Sequence, residues 1–218
     1  MKCLEGGLAA FEKTLPALRV QAGELTLFPE DVPIPEQALC ELWGLDKFVV
    51  KEKVLRPLDD LSIVTWDPQE QTVRLHNLVR AALRTWVPDG RAGHRRLLDA
   101  WSDPLQLPHE YAWRWYGRHC VEATDPDRLR KLLLSLAWLK AKLERTEAGA
   151  LVADCERLVS EQQITWRGLE IVGLKAARSG GADPTIRLLG DALRSSAHVL
   201  ARAPASCATS SLAGCDKV

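Results

Sequence analysis

The feature that most constrains the fold is a change of hydrophobic period in the first half of the chain. Residues 62–66 (SIVTW) have the β-branched and aromatic content of a strand, and residues 72–75 (TVRL) alternate with a period of two. The polar stretch between them (DPQEQ) favours a turn. On both sides, apolar residues recur every three or four positions, as in helices that bury one face. The sequence therefore predicts a β-hairpin set between helices.

Three helices are predicted around this hairpin. Residues 35–43 (PEQALCELW) begin with proline, and residues 46–56 begin with Asp46 as a candidate N-cap. After the hairpin, Asn77 is predicted to cap a helix whose apolar residues are Leu78, Val79, Ala82 and Leu83. Helices, a two-stranded wing and a further helix follow one another in the order typical of a winged-helix domain.

The second half of the chain carries helical patterns only. A polar, glycine-containing stretch at 89–93, directly after Pro88, has the composition of a linker. Beyond it, helical spacing predicts helices over residues 94–101, 110–122, 126–135, 136–145, 148–159 and 183–203. We therefore expect a mainly α protein, in which a winged-helix domain with a small β-hairpin is followed by an all-α bundle.

A row of leucines at helical spacing predicts the core of that bundle. The row runs through Leu129, Leu132, Leu133, Leu136, Leu139 and Leu143. Trp113, Tyr116 and Cys120 share a face of the preceding helix and should dock against it. The basic residues between 128 and 145, among them Lys142, are interpreted as a solvated face.

Charge and hydropathy exclude several classes of protein. Lys plus Arg and Asp plus Glu number 29 each, so a zero net charge gives no long-range field that would attract nucleic acid or an acidic membrane. Apolar runs such as 132–139 are far shorter than the roughly 18 residues of a membrane span. Residues 1–20 lack the apolar run and cleavage site of a signal peptide, so we expect a cytoplasmic protein.

The side chains that can do chemistry form no short-range constellation. The six cysteines are scattered without CxxC spacing, which favours free core thiols over a metal site. No spacing brings a nucleophile, a base and an orienting acid together among Asp99, Asp103, His109 and His119. The sequence predicts neither a catalytic site nor a metal site.

Several motifs in the first half resemble a known family. Residues 27–31 (LFPED), 42–45 (LWGL), 61–66 (LSIVTW) and 73–83 (VRLHNLVRAAL) are similar, in order and spacing, to the winged-helix module of NB-ARC proteins, which belong to the STAND signalling ATPases. In that family the tripeptide Met-His-Asp ends the wing and starts a helix. Leu75, His76 and Asn77 stand in its place here.

The second half resembles the helical domain of the apoptotic protease-activating factor. The similarity lies in residues 111–122 (YAWRWYGRHCVE) and 136–154 (LAWLKAKLERTEAGALVAD). Residues 193–204 (LRSSAHVLARAP) are similar to the segment that leads into a WD40 propeller in bacterial relatives. The predicted organisation is an N-terminal remnant at 1–24, a winged-helix domain at 25–88, a linker at 89–93, an apoptosome-like helical domain at 94–203 and a disordered tail at 204–218.

The resemblance implies one binding residue, His76. In the family this histidine contacts the β-phosphate of bound ADP and keeps the protein closed; the alternative is a plain surface histidine between a strand and a helix. Asn77 is expected to act only as a cap. Arg80 and Arg84 lie one turn apart near His76 and are interpreted as solvated, outside the site.

No GxxxxGK[ST] sequence exists in the chain, so no phosphate-cradling loop of the family is present and we expect no enzyme activity. ADP or ATP would bind only together with an ATPase core. The expected role is a regulatory and interaction module that closes over nucleotide, with an NB-ARC nucleotide-binding core and a WD40-type sensor domain as partners. Two alternatives stay open: a winged-helix DNA-binding regulator, although the four cations of its helix at 46–56 are offset by Asp46, Glu52, Asp59 and Asp60 in and around it, and a truncated remnant without function.

Overall fold

The computed structural model describes residues 16–171 and 183–200; the segments 1–15, 172–182 and 201–218, the last of which includes the predicted tail at 204–218, lie outside the described residues. The described part is mainly helical and contains one three-stranded antiparallel sheet. The predicted fold class, mainly α with a small β-hairpin, is confirmed.

Residues 16–84 contain four helices and the sheet. A 3-10 turn, Pro16–Leu18, leads into α1 (Arg19–Glu24), and a second 3-10 turn, Leu25–Leu27, follows it. The three segments Lys47–Val49, Val50–Leu55 and Arg56–Asp60, the middle one a π-helix, form one continuous helix, α3. The other elements are β1 (Ile34–Pro35), α2 (Glu36–Trp43), β2 (Val64–Asp67), β3 (Thr72–Leu75) and α4 (Asn77–Arg84).

Local chemistry sets the end of α2 and the start of α3 as predicted, whereas α3 continues through Pro57 to Asp60, beyond the predicted end at residue 56. Gly44 ends α2 in the left-handed conformation, with a φ of 63°, which a glycine adopts without a steric penalty. Asp46 caps α3, because its Oδ1 accepts hydrogen bonds from the amides of Phe48 at 2.9 Å and Val49 at 3.1 Å. Phe48, an apolar residue of the first turn of α3, is 68% exposed.

The hairpin forms as predicted, and a third strand joins it. β3 pairs on one side with β2, where Val64 lies opposite Leu75, and on the other with β1, where Ile34 lies opposite Val73. β1 was not predicted, because two residues carry too little periodicity to be recognised. With it, the order of elements becomes helix, strand, two helices and hairpin.

Six further helices follow in the described residues after 84, and one of them replaces part of the predicted linker. They are α5 (Arg91–Ala100), α6 (Glu110–Glu122), α7 (Pro126–Leu133), α8 (Leu136–Arg145), α9 (Ala148–Ile171) and α10 (Pro184–Leu200). Residues 91–93 are therefore helical rather than a flexible connection. Gly93 is buried, and a β-carbon there would overlap the side chain of Leu27, so this glycine serves close packing.

The predicted N-terminal remnant is also part of the folded structure where it is described. In α1, Ala22 is fully buried and Gly23 lies against Trp86 and Val87, just after α4. The helix thus contributes to the same core as the residues that follow it.

Buried contacts cross the boundary that was predicted at 89–93. The ring of Phe28 lies 5.5 Å from that of Tyr111 in α6. Glu41 of α2 accepts hydrogen bonds from Trp101 Nε1 at 2.6 Å and pairs with His109 Nε2 at 3.2 Å. The division into two domains stays a prediction, and the two parts share a buried interface.

The leucine row is only partly buried. Leu129 and Leu133 are excluded from solvent, but Leu136 is 79% exposed. Instead, α8 turns Trp138 and Lys142 inward, and Trp138 stacks on Trp113 at a centroid distance of 5.5 Å. The interpretation of Lys142 as solvated is wrong, because its ammonium is buried against Asp154.

Among the described residues, no helix is both long enough and apolar enough to cross a membrane. Cys120 and Cys155 are buried free thiols and Cys40 is half-buried, as expected for core cysteines. Burial raises the pKa of Cys120 to about 12 and that of Cys155 to about 11, so both are unreactive at neutral pH.

Candidate functional site

His76 connects the hairpin to α4 and is the N-cap residue of that helix. Its backbone is extended (φ −66°, ψ 126°), and its carbonyl accepts hydrogen bonds from the amides of Val79 and Arg80 at 3.1 and 3.3 Å. Buried side chains on either side, Leu75 in β3 and Val79 in α4, hold this junction against the core. The position of His76 is therefore fixed by well-packed neighbours.

The imidazole of His76 is exposed and lies on the solvent face of the hairpin. Its Nε2 is 3.2 Å from the hydroxyl oxygen of Thr65, which faces Arg74 across the β2–β3 pair. The ring forms no cap hydrogen bond with the first amides of α4. The amides of Asn77 and Leu78 precede the first hydrogen bonds of the helix, so its start combines two free donors with the positive end of the helix dipole.

Asn77 does not cap α4, contrary to the prediction. It already has helical geometry, and its side-chain Nδ2 donates to Asp31 Oδ1 at 2.8 Å. Arg74 Nη1 also reaches the Asp31 carbonyl, at 3.4 Å. Asp31 has a positive φ of 56°, which brings its side chain and carbonyl to the β3–α4 junction. The site thus includes one carboxylate beside the histidine.

Arg80 was predicted to be solvated, and the structure buries it. Only 5% of the residue is exposed, and its guanidinium donates to the carbonyls of Thr26 at 3.2 Å, Phe28 at 2.8 Å and Pro29 at 3.2 Å. Burial lowers the pKa of Arg80 below its ordinary value. Arg84, one turn later, is exposed as expected.

These contacts make Arg80 the structural link between α4 and the turn that contains the LFPED motif. Sequence reasoning missed this role, because helical spacing does not show which arginine of a pair faces a neighbouring turn. The sequence did offer one signal, because Arg80 directly follows the apolar Val79 in a helix with a strongly apolar face. The same helix therefore presents His76 outward at its start and anchors the turn before β1 through Arg80.

The helix that would enter a DNA groove, α3, carries four cations, and three of them are paired with acidic residues of the chain, while Lys53 is exposed. Lys47 and Lys51 lie 3.7 and 3.2 Å from the buried carboxylate of Glu36, and Lys47 Nζ also donates to Gln71 at 2.5 Å. Arg56 pairs with Glu52 at 2.9 Å. A phosphate-contacting helix needs a clear excess of positive charge, and these acidic partners offset most of the charge of α3, so this arrangement does not favour DNA binding.

The candidate acid-base residues are dispersed. His109 caps α6 by accepting from the Ala112 amide at 3.0 Å, and His119 is buried beside His94. Asp103 Oδ1 accepts from the Leu105 amide at 2.9 Å and holds a loop. In the part of the chain that the structure describes, no group of three His, Cys, Asp or Glu side chains is arranged to hold a metal ion.

No protein-family model matches the chain, and no curated protein is significantly similar to it in sequence.

Proposed function

We propose that the chain is a regulatory and interaction module of an NB-ARC-type signalling switch. In this proposal His76 contacts a phosphate of ADP that is bound by a separate ATPase core, and the helices after residue 91 transmit the state of a sensor domain. The single observation that carries the proposal is an exposed imidazole at the uncapped start of α4.

The chemistry of this position suits a phosphate oxygen. If the Thr65 hydroxyl donates to Nε2, the neutral ring carries its proton on Nδ1, and that N–H is free to donate to an anion. The free amides and the dipole of α4 add positive potential at the same point. The carboxylate of Asp31 opposes an anion, but its Oδ1 already accepts a hydrogen bond from Asn77 Nδ2.

One imidazole and one helix end supply few contacts, so binding by the chain alone should be weak. Most of the affinity would come from the phosphate-cradling loop of the core, which this chain lacks. His76 would instead act on the balance between closed and open states, because it reaches the nucleotide only when the module lies over the core. ADP shifts that balance only as far as it binds the closed state more tightly than the open one.

The test joins the chain to an NB-ARC nucleotide-binding core and compares His76→Ala with the unmodified protein. Loss of the phosphate hydrogen bond should weaken the free energy of ADP binding by about 0.5–3 kcal/mol, and the larger values apply if the ring is charged. ADP should dissociate faster in stopped-flow measurements, and the oligomeric fraction should rise.

Two variants on the same surface serve as controls. Thr65→Val removes the hydroxyl that orients the ring and should give a smaller effect in the same direction. Arg84→Ala changes an exposed side chain two turns away and should leave ADP release unchanged. If His76→Ala changed neither ADP release nor assembly, His76 would be a plain surface histidine and the proposal would lose its binding residue. Micromolar ADP affinity of the isolated chain in calorimetry would also contradict it.

A further inference from the structure

Two histidines from successive helices meet inside the protein. His94 of α5 is 4% exposed and His119 of α6 is fully buried, and their Nδ1 atoms lie 2.7 Å apart. A hydrogen bond between two ring nitrogens needs one proton, so one ring donates and the other accepts. On its far side, His119 Nε2 lies 3.1 Å from the hydroxyl of Tyr111, which is also buried.

The surroundings of the pair are aromatic. The His119 ring lies 5.4 Å from that of Trp101, at the end of α5, and 6.2 Å from that of Phe28, in the turn before β1. The pair therefore lies where α5, α6 and the Phe28 turn meet. Separation of the two rings would loosen all three.

The charged groups around the pair are cationic. The positive charge of Arg118 in α6 disfavours protonation of both imidazoles, and that of Arg157 in α9 disfavours protonation of His119. Arg80 of α4 exerts a similar electrostatic influence on Tyr111. The carboxylates in this region are paired with other groups: Asp154 with Lys142 and Arg157, Glu122 with Arg118, and Glu41 with Trp101 and His109. No described carboxylate contacts either ring of the pair, so an added proton would have no anionic partner.

We propose that the His94–His119 pair is a proton-sensitive joint, which holds α5 against α6 and the Phe28 turn only while both rings are neutral. Protonation of one ring at its outer nitrogen would leave the N–H···N hydrogen bond in place, but it would add a buried cation among guanidinium groups. Protonation of both rings would also set two N–H groups against each other at 2.7 Å. The rings then separate, and the α5–α6 contact opens.

The direction of the pH effect follows from the two protonation states. Burial, with Arg118 nearby, lowers the pKa of His94 to about 4. Burial, followed by the influence of His94 and Arg118, lowers the pKa of His119 well below its ordinary value. Above pH 7 both rings are neutral whether the chain is folded or unfolded. Below about pH 6.5 the unfolded chain takes up protons that the folded pair excludes, so stability falls as pH falls.

The first experiment measures urea unfolding of the full chain between pH 7.5 and pH 5 by tryptophan fluorescence. For each histidine, the folding equilibrium constant should fall about 30-fold over this range. His94→Gln keeps a hydrogen-bond donor and an acceptor but cannot be protonated. The folding equilibrium constant of this variant should therefore fall about 30-fold less between pH 7.5 and pH 5 than that of the unmodified protein. Tyr111→Phe keeps the pair and should retain the full pH dependence. Equal pH profiles for the unmodified protein and His94→Gln would overturn the proposal.

The second experiment needs no variant and decides the question if His94→Gln does not fold. In NMR titrations of the native protein, the His94 and His119 rings should stay neutral from pH 7.5 to pH 5. Hydrogen exchange, corrected for the intrinsic pH effect, should show that the amides of α5 lose protection before those of β2 and β3 as pH falls. Protonation of either ring within the intact fold near pH 6 would overturn the proposal. So would an equal loss of protection for the amides of α5, β2 and β3.

Discussion

The ammonium group of Lys142 donates a hydrogen bond to the carboxylate of Asp154, and neither side chain is exposed to solvent. The pair joins α8 to α9, and Arg157 Nη1 donates to the second oxygen of Asp154 at 3.2 Å. The same carboxylate lies against Gly117 of α6, where a β-carbon would overlap it. One buried carboxylate therefore holds three helices in register.

Removal of one member of this pair should be strongly destabilising, because the other is left as a buried charge without its partner. Lys142→Met should lower the free energy of unfolding by about 3–5 kcal/mol, while the double variant Lys142→Met/Asp154→Leu should lose less. Lys140→Met is the control, since Lys140 is 76% exposed and its pair with Glu144 spans 4.0 Å. Urea unfolding gives the comparison. Similar losses for Lys142→Met and Lys140→Met would contradict the buried pair.

Gly117→Ala should be destabilising by about 1–3 kcal/mol, because its new β-carbon must push Asp154 away from its two cations. The matched control is Gly149→Ala in α9, where the nearest atom to a β-carbon is Glu147 Cγ at 3.7 Å. That change should be neutral or stabilising by about 0.5–1 kcal/mol, because alanine favours helix. Thermal unfolding of both variants separates the two cases. If alanine had the same effect on thermal unfolding at both positions, α6 and α9 would not pack closely at Gly117 and Asp154.

Arg80→Met should leave the backbone carbonyls of the turn at 26–29 without donors. Each buried polar group that loses its partner costs about 1–3 kcal/mol, so the loss of stability should be at least of that size. Arg84→Met, one turn later on the exposed face, should change stability by no more than about 0.5 kcal/mol. A neutral Arg80→Met would mean that the arginine does not hold the turn. Differential scanning calorimetry provides the measurement.

Leu133→Ala should cost about 2–5 kcal/mol, because it removes buried methyl groups and leaves a cavity. Leu136→Ala, three residues later in the same predicted row, should stay within about 0.5 kcal/mol, since Leu136 is 79% exposed. Chemical denaturation of the two variants tests which leucines form the core. A large loss at Leu136 would indicate that this side chain is covered in solution.

Several elements were predictable because their signals are local. The cap at Asp46, the left-handed end at Gly44 and the start of α7 at Pro126 depend on side chains next to the bonds that they make. The hairpin was predictable for the same reason, since its period of two contrasts with the helices around it. His76 could be located between strand and helix on this basis alone.

Long-range partners could not be predicted in this way. Lys142 lies twelve residues from Asp154, and Arg80 lies more than fifty from the carbonyls of Thr26, Phe28 and Pro29. In the sequence both resemble solvated cations, because a charged residue is buried only when a distant partner offsets its desolvation. The two-residue strand β1 could not be predicted for the same reason, because only its pairing with β3 defines it.

By itself, the sequence determined the order of helices and hairpin, most helix ends and the outward position of His76, because these follow from periodicity and neighbouring caps. Tertiary structure alone decided which charges and histidines became buried and that residues 91–93 are helical. Lys142, Arg80 and the His94–His119 pair are stable inside the protein only because remote elements supply hydrogen-bond partners there. Those partners are brought together by packing, which a pattern along one segment does not encode.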